Sequence, residues 1–255
     1  MSTTLAPPRH VSEPPVRSGR GVSPIRLASA IVLFAWAVLF WFVLLTGRTQ
    51  LYLSNRTSWV VPVGAVLLTA AAIGRLFSLR AEEPEPLHIR EAWILGVMVL
   101  PVVALLVLPP ATLSSFAATK RPFVAAGVSA SSTDIANGAL TLVDVAAAQT
   151  SREGAKALAA RAGDEATFVG FVTPIPGNPA GEFLLTRYYI TCCIADAQTI
   201  QVHVVDAPVG KFQADDWVRV TGAIIPLGRT VLMNAAAPSG SVTGIPKPSH
   251  PYITA

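Results

Sequence analysis

The two cysteines of this 255-residue chain are adjacent, Cys192-Cys193 in the run RYYITCCIADAQ, which also holds Arg187 and Asp196; His203 follows a few residues on. Neighbouring thiols suit a soft metal ion or thiol–disulfide chemistry. Neither is supported by spacing alone, because no CxxC or HxxxH pattern occurs anywhere to complete a metal site. A disulfide between neighbours is strained, since adjacent α-carbons stand only about 3.8 Å apart.

The element that must position these residues reads as a strand. Alternation puts Tyr188, Ile190, Cys192 and Ile194 on one face and Arg187, Tyr189, Thr191 and Cys193 on the other. If Ala195-Asp196-Ala197 closes a hairpin, Cys192 stands opposite Ile200, Ile190 opposite Val202 and Tyr188 opposite Val204. That face is apolar throughout and makes Cys192 a core residue. Cys193 then shares its face with Thr199, Gln201 and His203, with His203 about 13 Å beyond Thr199. An ion held by Cys192, Cys193, Asp196 and His203 therefore requires a bulge or a second chain. Metal-binding, redox-active and structural roles for the thiols stay open, and no cofactor is identified.

Further strand signals surround this one. Residues 167–174, 183–194, 199–205, 217–225 and 229–234 are rich in β-branched and aromatic residues and are separated by Gly, Pro and Asp clusters. Five strands with Gly170 inside the first predict a small barrel of the OB type, in which a glycine lets a long first strand bend across both sheets. A five-stranded open meander is the alternative. Residues 207–216 leave room for at most one turn of helix between strands three and four. Before the barrel, SREGAKALAARAG from Ser151 has a hydroxyl cap and good helix formers, predicting a short helix.

An OB barrel invites a nucleic-acid reading, which charge opposes. After Pro110 the chain carries ten basic and ten acidic residues, so the whole +4 excess belongs to the first 110 residues. Affinity for a phosphate backbone comes from clustered Lys and Arg, and a neutral domain offers no such groove. Hydrolase chemistry finds no footing either: there is no GxSxG elbow, no Ser/His/Asp grouping and no phosphate loop. Asp215-Asp216 read as turn residues before a strand.

The first 110 residues are of another kind. Leu27 to Gly47, between Arg26 and Arg48, has no charge and meets the length of about 20 residues that a helix needs to cross a bilayer. Thr57 to Gly74 and Ala92 to Leu108 are shorter crossings; Pro62 and Pro101 are tolerated where neighbouring helices satisfy the freed carbonyls. Arg75 can reach the headgroups from the end of the second span. The fold class is thus three N-terminal transmembrane helices followed by an OB-like five-stranded β-barrel.

Arginines set the orientation. Arg9, Arg17, Arg20 and Arg26 before the first span and Arg75, Arg80 and Arg90 after the second make seven cations on one side. Arg48, Arg56, Lys120 and Arg121 make four on the other. The excess predicts a cytoplasmic N-terminus and an extracytoplasmic C-terminal domain. The first span is too long and too far from the start for a cleavable signal peptide. Residues 1–26, rich in Pro, Ser and Arg, are expected to be a disordered cytoplasmic tail. The loop RAEEPEPLHIRE, with His88, reads as solvated surface, and the Asn55-Arg56-Thr57 glycosylation pattern is discounted beside the membrane. The expected organisation is tail 1–26, membrane region 27–110, linker with short helix 111–163, β-domain 164–240 and Pro-rich C-terminal tail 241–255.

Gly170-Phe171-Val172, the stretch TRYYITCCIADAQTIQVHVV, then DDWVRVTGAI and the closing PSHPYI resemble the YcgQ-like family of bacterial membrane proteins, described as permease subunits with a C-terminal domain of unknown function. Its R-x-x-I-x-C-C-x-A-D-A core falls on Arg187, Ile190, Cys192, Cys193, Ala195, Asp196 and Ala197. The resemblance implies a non-enzymatic accessory partner of a separate polytopic permease that moves a metal or another small solute. Apart from Arg75 near an end, the three spans hold no ionisable residue, whereas transport pathways need such groups at the midplane. The partners expected are therefore the permease and the lipid bilayer, and no nucleic acid. The competing reading is an envelope thiol, redox or metal-binding protein that uses Cys192-Cys193.

Overall fold

The computed structural model describes residues 21–81, 86–108, 112–121, 128–228 and 230–254. Most of the tail expected to be disordered therefore lies outside the described residues. The described residues form two compact units, those within Met1–Phe40 and Gly64–Val107 and those within Trp41–Val63 and Leu108–Ala255.

A two-residue strand β1 (Gly21–Val22) precedes helix α1 (Pro24–Leu45), followed by α2 (Val60–Phe77), strand β2 (Arg80–Ala81) and α3 (Ile89–Val107); all but the end of α1 and the start of α2 belong to the first unit. All three helices are long and apolar enough to cross a membrane. Large apolar side chains point outward along them, Phe34 at 62 % exposure, Trp93 at 71 % and Phe77 at 87 %. Apolar surface on that scale calls for lipid as the solvent.

Within this unit the helices are pinned by a few specific contacts. Gly64 admits the Phe40 ring, which a Cβ would meet at 2.6 Å. Arg75 donates from Nε to Ser29 Oγ at 2.8 Å, and Arg26 donates to the Ser78 carbonyl at 2.8 Å. Antiparallel pairing of Gly21 with Ala81 and of Val22 with Arg80 clips the chain entering α1 to the chain leaving α2. Pro101 sits inside α3 and leaves the Val97 carbonyl without its usual helical donor. One residue on, the Trp36 indole N–H donates to the Met98 carbonyl at 3.1 Å, so a neighbouring helix serves the backbone where proline disturbs it.

The second unit adds four short helices, α4 (Ser115–Lys120), α5 (Ser132–Asn137), α6 (Leu142–Thr150) and α7 (Arg152–Ala159). Seven strands follow: β3 (Glu165–Pro174), β4 (Phe183–Ile190), β5 (Gln198–Val205), β6 (Trp217–Leu227), β7 (Thr230–Asn234), β8 (Ser241–Gly244) and β9 (Tyr252–Thr254). Ser151 ends α6 and caps α7, its hydroxyl accepting the Gly154 N–H at 2.9 Å. Strands pair in the order β3-β4-β5-β7-β6, and β6 returns to β3, closing a five-strand barrel with β5 and β7 parallel. This is the OB-type arrangement expected, and closure rules out the open meander.

Gly170 has the expected role. Residues 165–171 of β3 pair with β6 and residues 171–174 with β4, so the strand changes partner next to Gly170. A Cβ there would lie 2.6 Å from the Thr186 carbonyl oxygen and 3.1 Å from the Leu185 side chain. Inside, Leu185, Val202, Val204, Val218, Val220, Ile224 and Met233 are fully buried, and Leu142, Val145 and Ala146 of α6 extend the same core. A second cluster on the outer face joins Ala118 of α4 to Phe171, Tyr188, Ile190, Ala197 and Tyr252. Both faces of β4 are therefore covered. Residues 241–254, read from composition as tail, supply β8 beside β6 and β9 in parallel beside β4.

The hairpin register differs from the sequence expectation. β4 ends at Ile190 rather than Ile194, and Arg187 pairs with Ile200, Tyr188 with Thr199 and Tyr189 with Gln198. The connection is a seven-residue loop, 191–197, with a 3₁₀ turn over Ile194–Asp196, where a three-residue turn was expected. The physical reason is Asp196: its carboxylate accepts the Thr191 and Cys192 N–H groups and ends the strand before the cysteines. A register slip by an odd number of residues also exchanges facing partners. Cys192 is consequently exposed, not a core residue.

Gly170→Ala should destabilise the barrel by about 1–3 kcal/mol through overpacking. Thermal melting of the detergent-solubilised chain, followed by near-UV circular dichroism, checks this; an unchanged midpoint would contradict the close approach of β3 to β4.

Candidate functional site

The cysteines sit at the apex of the β4–β5 loop. Asp196 holds the base of that turn, one carboxylate oxygen 3.0 Å from the Thr191 nitrogen and the other 2.7 Å from the Cys192 nitrogen. Arg121, just past α4, donates to the Ala197 carbonyl at 2.6 Å and to the Ile194 carbonyl at 3.5 Å.

A third support comes from 140 residues earlier in the chain, the loop that joins α1 to α2. Leu53 forms an antiparallel β-bridge with Cys193. It is flanked by Ser54 N–H to the Cys192 carbonyl at 3.1 Å and Ile194 N–H to the Tyr52 carbonyl at 2.9 Å. Side chains reinforce it: Ser54 Oγ donates to the Thr191 carbonyl at 2.8 Å and Thr57 Oγ1 to the Cys192 carbonyl at 2.5 Å. The Cys192 carbonyl thus accepts two hydrogen bonds, and the backbone of the turn is satisfied without either thiol.

Both thiols are free, Cys192 exposed and Cys193 half-buried, with sulfurs 3.7 Å apart. The Asp196 carboxylate accepts the Cys192 thiol's hydrogen bond; this, the neighbouring Cys193 and the nearby negative charge push the thiol up to about 11. Burial by itself would raise the Asp196 carboxyl, but the hydrogen bonds from the Cys192 thiol and from the backbone of Cys192, Thr191 and Cys193 outweigh it and hold the group below its ordinary value. At neutral pH, then, Cys192 is a thiol beside a carboxylate. A thiol attacks disulfides only through its thiolate, so this arrangement restrains redox chemistry at Cys192.

The structure separates the remaining sequence candidates from this turn. His203 lies five pairs along the hairpin from Gln198, about 17 Å at the strand rise. Its Nε2 is 3.0 Å from a Glu182 carboxylate oxygen at the opposite end of β4. Arg187 faces away toward the C-terminus, donating to the His250 carbonyl at 2.8 Å and the Pro251 carbonyl at 3.4 Å with its guanidinium over the Trp217 ring. Burial lowers its pKa from the ordinary arginine value. Its place in the motif is to fasten β9 to the barrel. The four candidate ligands are not brought together, and among the described residues no group of three or more His, Cys, Asp and Glu side chains is placed to hold an ion. Asp215, read as a turn residue, has a left-handed φ of 71° and accepts the Ser115 N–H.

Sequence reasoning missed Ser54, Thr57 and Arg121. The signal for the first two was the polar run Ser54-Asn55-Arg56-Thr57-Ser58, whose five hydrogen-bonding side chains between two apolar spans suggest a partner surface. Nothing local marks Arg121.

Residues 134–254 match the family model of the DUF1980 C-terminal domain, a span that runs from α5 through β9 and includes the cysteine turn. No curated protein and no solved structure gives a significant match.

With the Cys192 thiol raised to about 11, its alkylation should quicken about tenfold per pH unit between pH 8 and 10, as the thiolate fraction grows. Asp196→Asn, which removes the accepting carboxylate, should speed the reaction at pH 8. Peptide mass spectrometry after timed iodoacetamide treatment measures both; a rate already saturated at pH 8 in the native chain would contradict the assigned contact.

Proposed function

We propose that this chain is a non-enzymatic accessory subunit of a two-component bacterial permease, anchored in the cell membrane with its OB-like domain on the extracytoplasmic side. The observation that carries this reading is the chemistry of the three helices. Their ionisable residues, Arg26 in α1, Arg75 in α2 and Arg90 and Glu91 in α3, all lie in the first or last turns. Without an ionisable group at mid-depth these helices lack the residues that transport pathways use, so a second protein must supply one.

Topology agrees. Three crossings put the α1–α2 loop and the C-terminal domain on the same side, and the bridge from Leu53 to Cys193 requires them to share a side. The arginine excess beside the opposite ends of α1 and α2 favours that opposite side as cytoplasmic. The ten-to-ten charge balance of the residues after Pro110 argues against nucleic acid as the partner. Protonated Cys192 argues against a thiol oxidoreductase, and the domain match carries no activity with it.

Affinity purification from gently solubilised membranes should recover a polytopic membrane protein at fixed stoichiometry. Membrane-impermeant maleimide applied to intact cells should label the cysteines. Repeated recovery of the chain alone would overturn the accessory role, and labelling only after lysis would overturn the orientation.

A further inference from the structure

The fold holds the backbone that carries the cysteines from three directions: Asp196 from the turn itself, Arg121 from beyond α4, and Ser54 with Thr57 from the α1–α2 loop. Two free thiols remain, Cys192 exposed and Cys193 half-buried, with sulfurs 3.7 Å apart. Two metal–thiolate bonds of about 2.3 Å meeting at the tetrahedral angle place their sulfurs about 3.8 Å apart. This hydrogen-bonding separation of the free thiols also matches the bite of a tetrahedral chelate, whereas two sulfurs on opposite sides of a linearly coordinated ion would stand well over 4 Å apart.

From this geometry we propose that Cys192 and Cys193 together form an open two-thiol site for a tetrahedral, thiophilic divalent cation of the zinc class. Binding replaces two S–H bonds by two metal–sulfur bonds and releases two protons to solvent. Asp196 is a positioning residue, because its carboxylate oxygens hold the Thr191 and Cys192 N–H groups and so fix the turn. His203, bonded to Glu182 at the other end of the hairpin, takes no part. Two ligands from one chain leave half of a tetrahedral shell to water or another molecule. Structural zinc sites close all four positions, so this is a site for an ion in passage. Its assignment as the solute presented to a permease rests on the accessory-subunit reading, while the site itself does not.

The test is titration of the reduced full chain, in detergent, with cobalt(II) as a spectroscopic stand-in and then with zinc in competition. A thiolate-to-cobalt charge-transfer band should appear at one ion per chain and be bleached by zinc. Cys192→Ser and Cys193→Ser, with melting temperatures checked, should each abolish the band, and His203→Ala should leave it intact. Absence of a band in the native chain, or its survival in the Cys192→Ser, Cys193→Ser double variant, would overturn the proposal. Because the readout uses purified chain alone, a negative result is independent of whether a permease copurifies.

Discussion

The short β-bridge between Leu53 and Cys193 is the contact on which the second unit's organisation turns. It converts the loop between two apolar helices into part of the barrel's surface, since Tyr52, Leu53 and Ser54 occupy backbone groups that the early end of β4 leaves without strand partners. Such groups need partners wherever water is excluded, and here the partner is another stretch of the same chain. The bridge also fixes topology, because a loop between two spans can touch a domain after the third only when both lie on one side.

From that contact follows the character of the cysteine turn. Asp196 closes the turn by accepting the Thr191 and Cys192 N–H groups; the hydroxyls of Ser54 and Thr57 on the Thr191 and Cys192 carbonyls hold it from outside. Cys192 stays exposed and Cys193 half-buried while their backbone is immobilised. Tyr52–Thr57 lies between a 3₁₀ turn over Arg48–Leu51, which follows α1, and the start of α2 at Val60. On β4, three residues before the strand ends, Arg187 performs the complementary task and ties the chain entering β9 down.

Much of this architecture was legible in the residues. Apolar runs without charge marked the helices, β-branched clusters between Gly and Pro marked the five barrel strands, and Gly170 marked the bend where β3 changes partner. What failed was local to the motif. The alternation of Tyr188, Ile190 and Cys192 looked like one buried face continuing to the cysteines, but both faces of β4 are buried, one by the barrel core and one by α4 and Tyr252. Apolar alternation then carries no register. Asp196, which looked like the middle of a tight turn, acts as a hydrogen-bond acceptor that ends the strand, and single-strand reasoning does not price side-chain capping. The bridge from Leu53 was beyond reach because it joins residues 140 apart with no complementary pattern between them. Residues 241–254 read as tail because proline dominates, yet four residues beside β6 and three beside β4 suffice for pairing when the barrel offers open edges.

The account stands on Leu53 facing Cys193 as a non-hydrogen-bonded antiparallel pair, where α-carbons lie about 4.5 Å apart and within disulfide range. Introducing Leu53→Cys together with Cys192→Ser tests this directly. Mild oxidation of the membrane-embedded chain should link position 53 to Cys193 in nearly every molecule, seen as a single crosslinked peptide by mass spectrometry that reduction removes. Free alkylation of both thiols after oxidation would contradict it, and with it the shared side of loop and barrel.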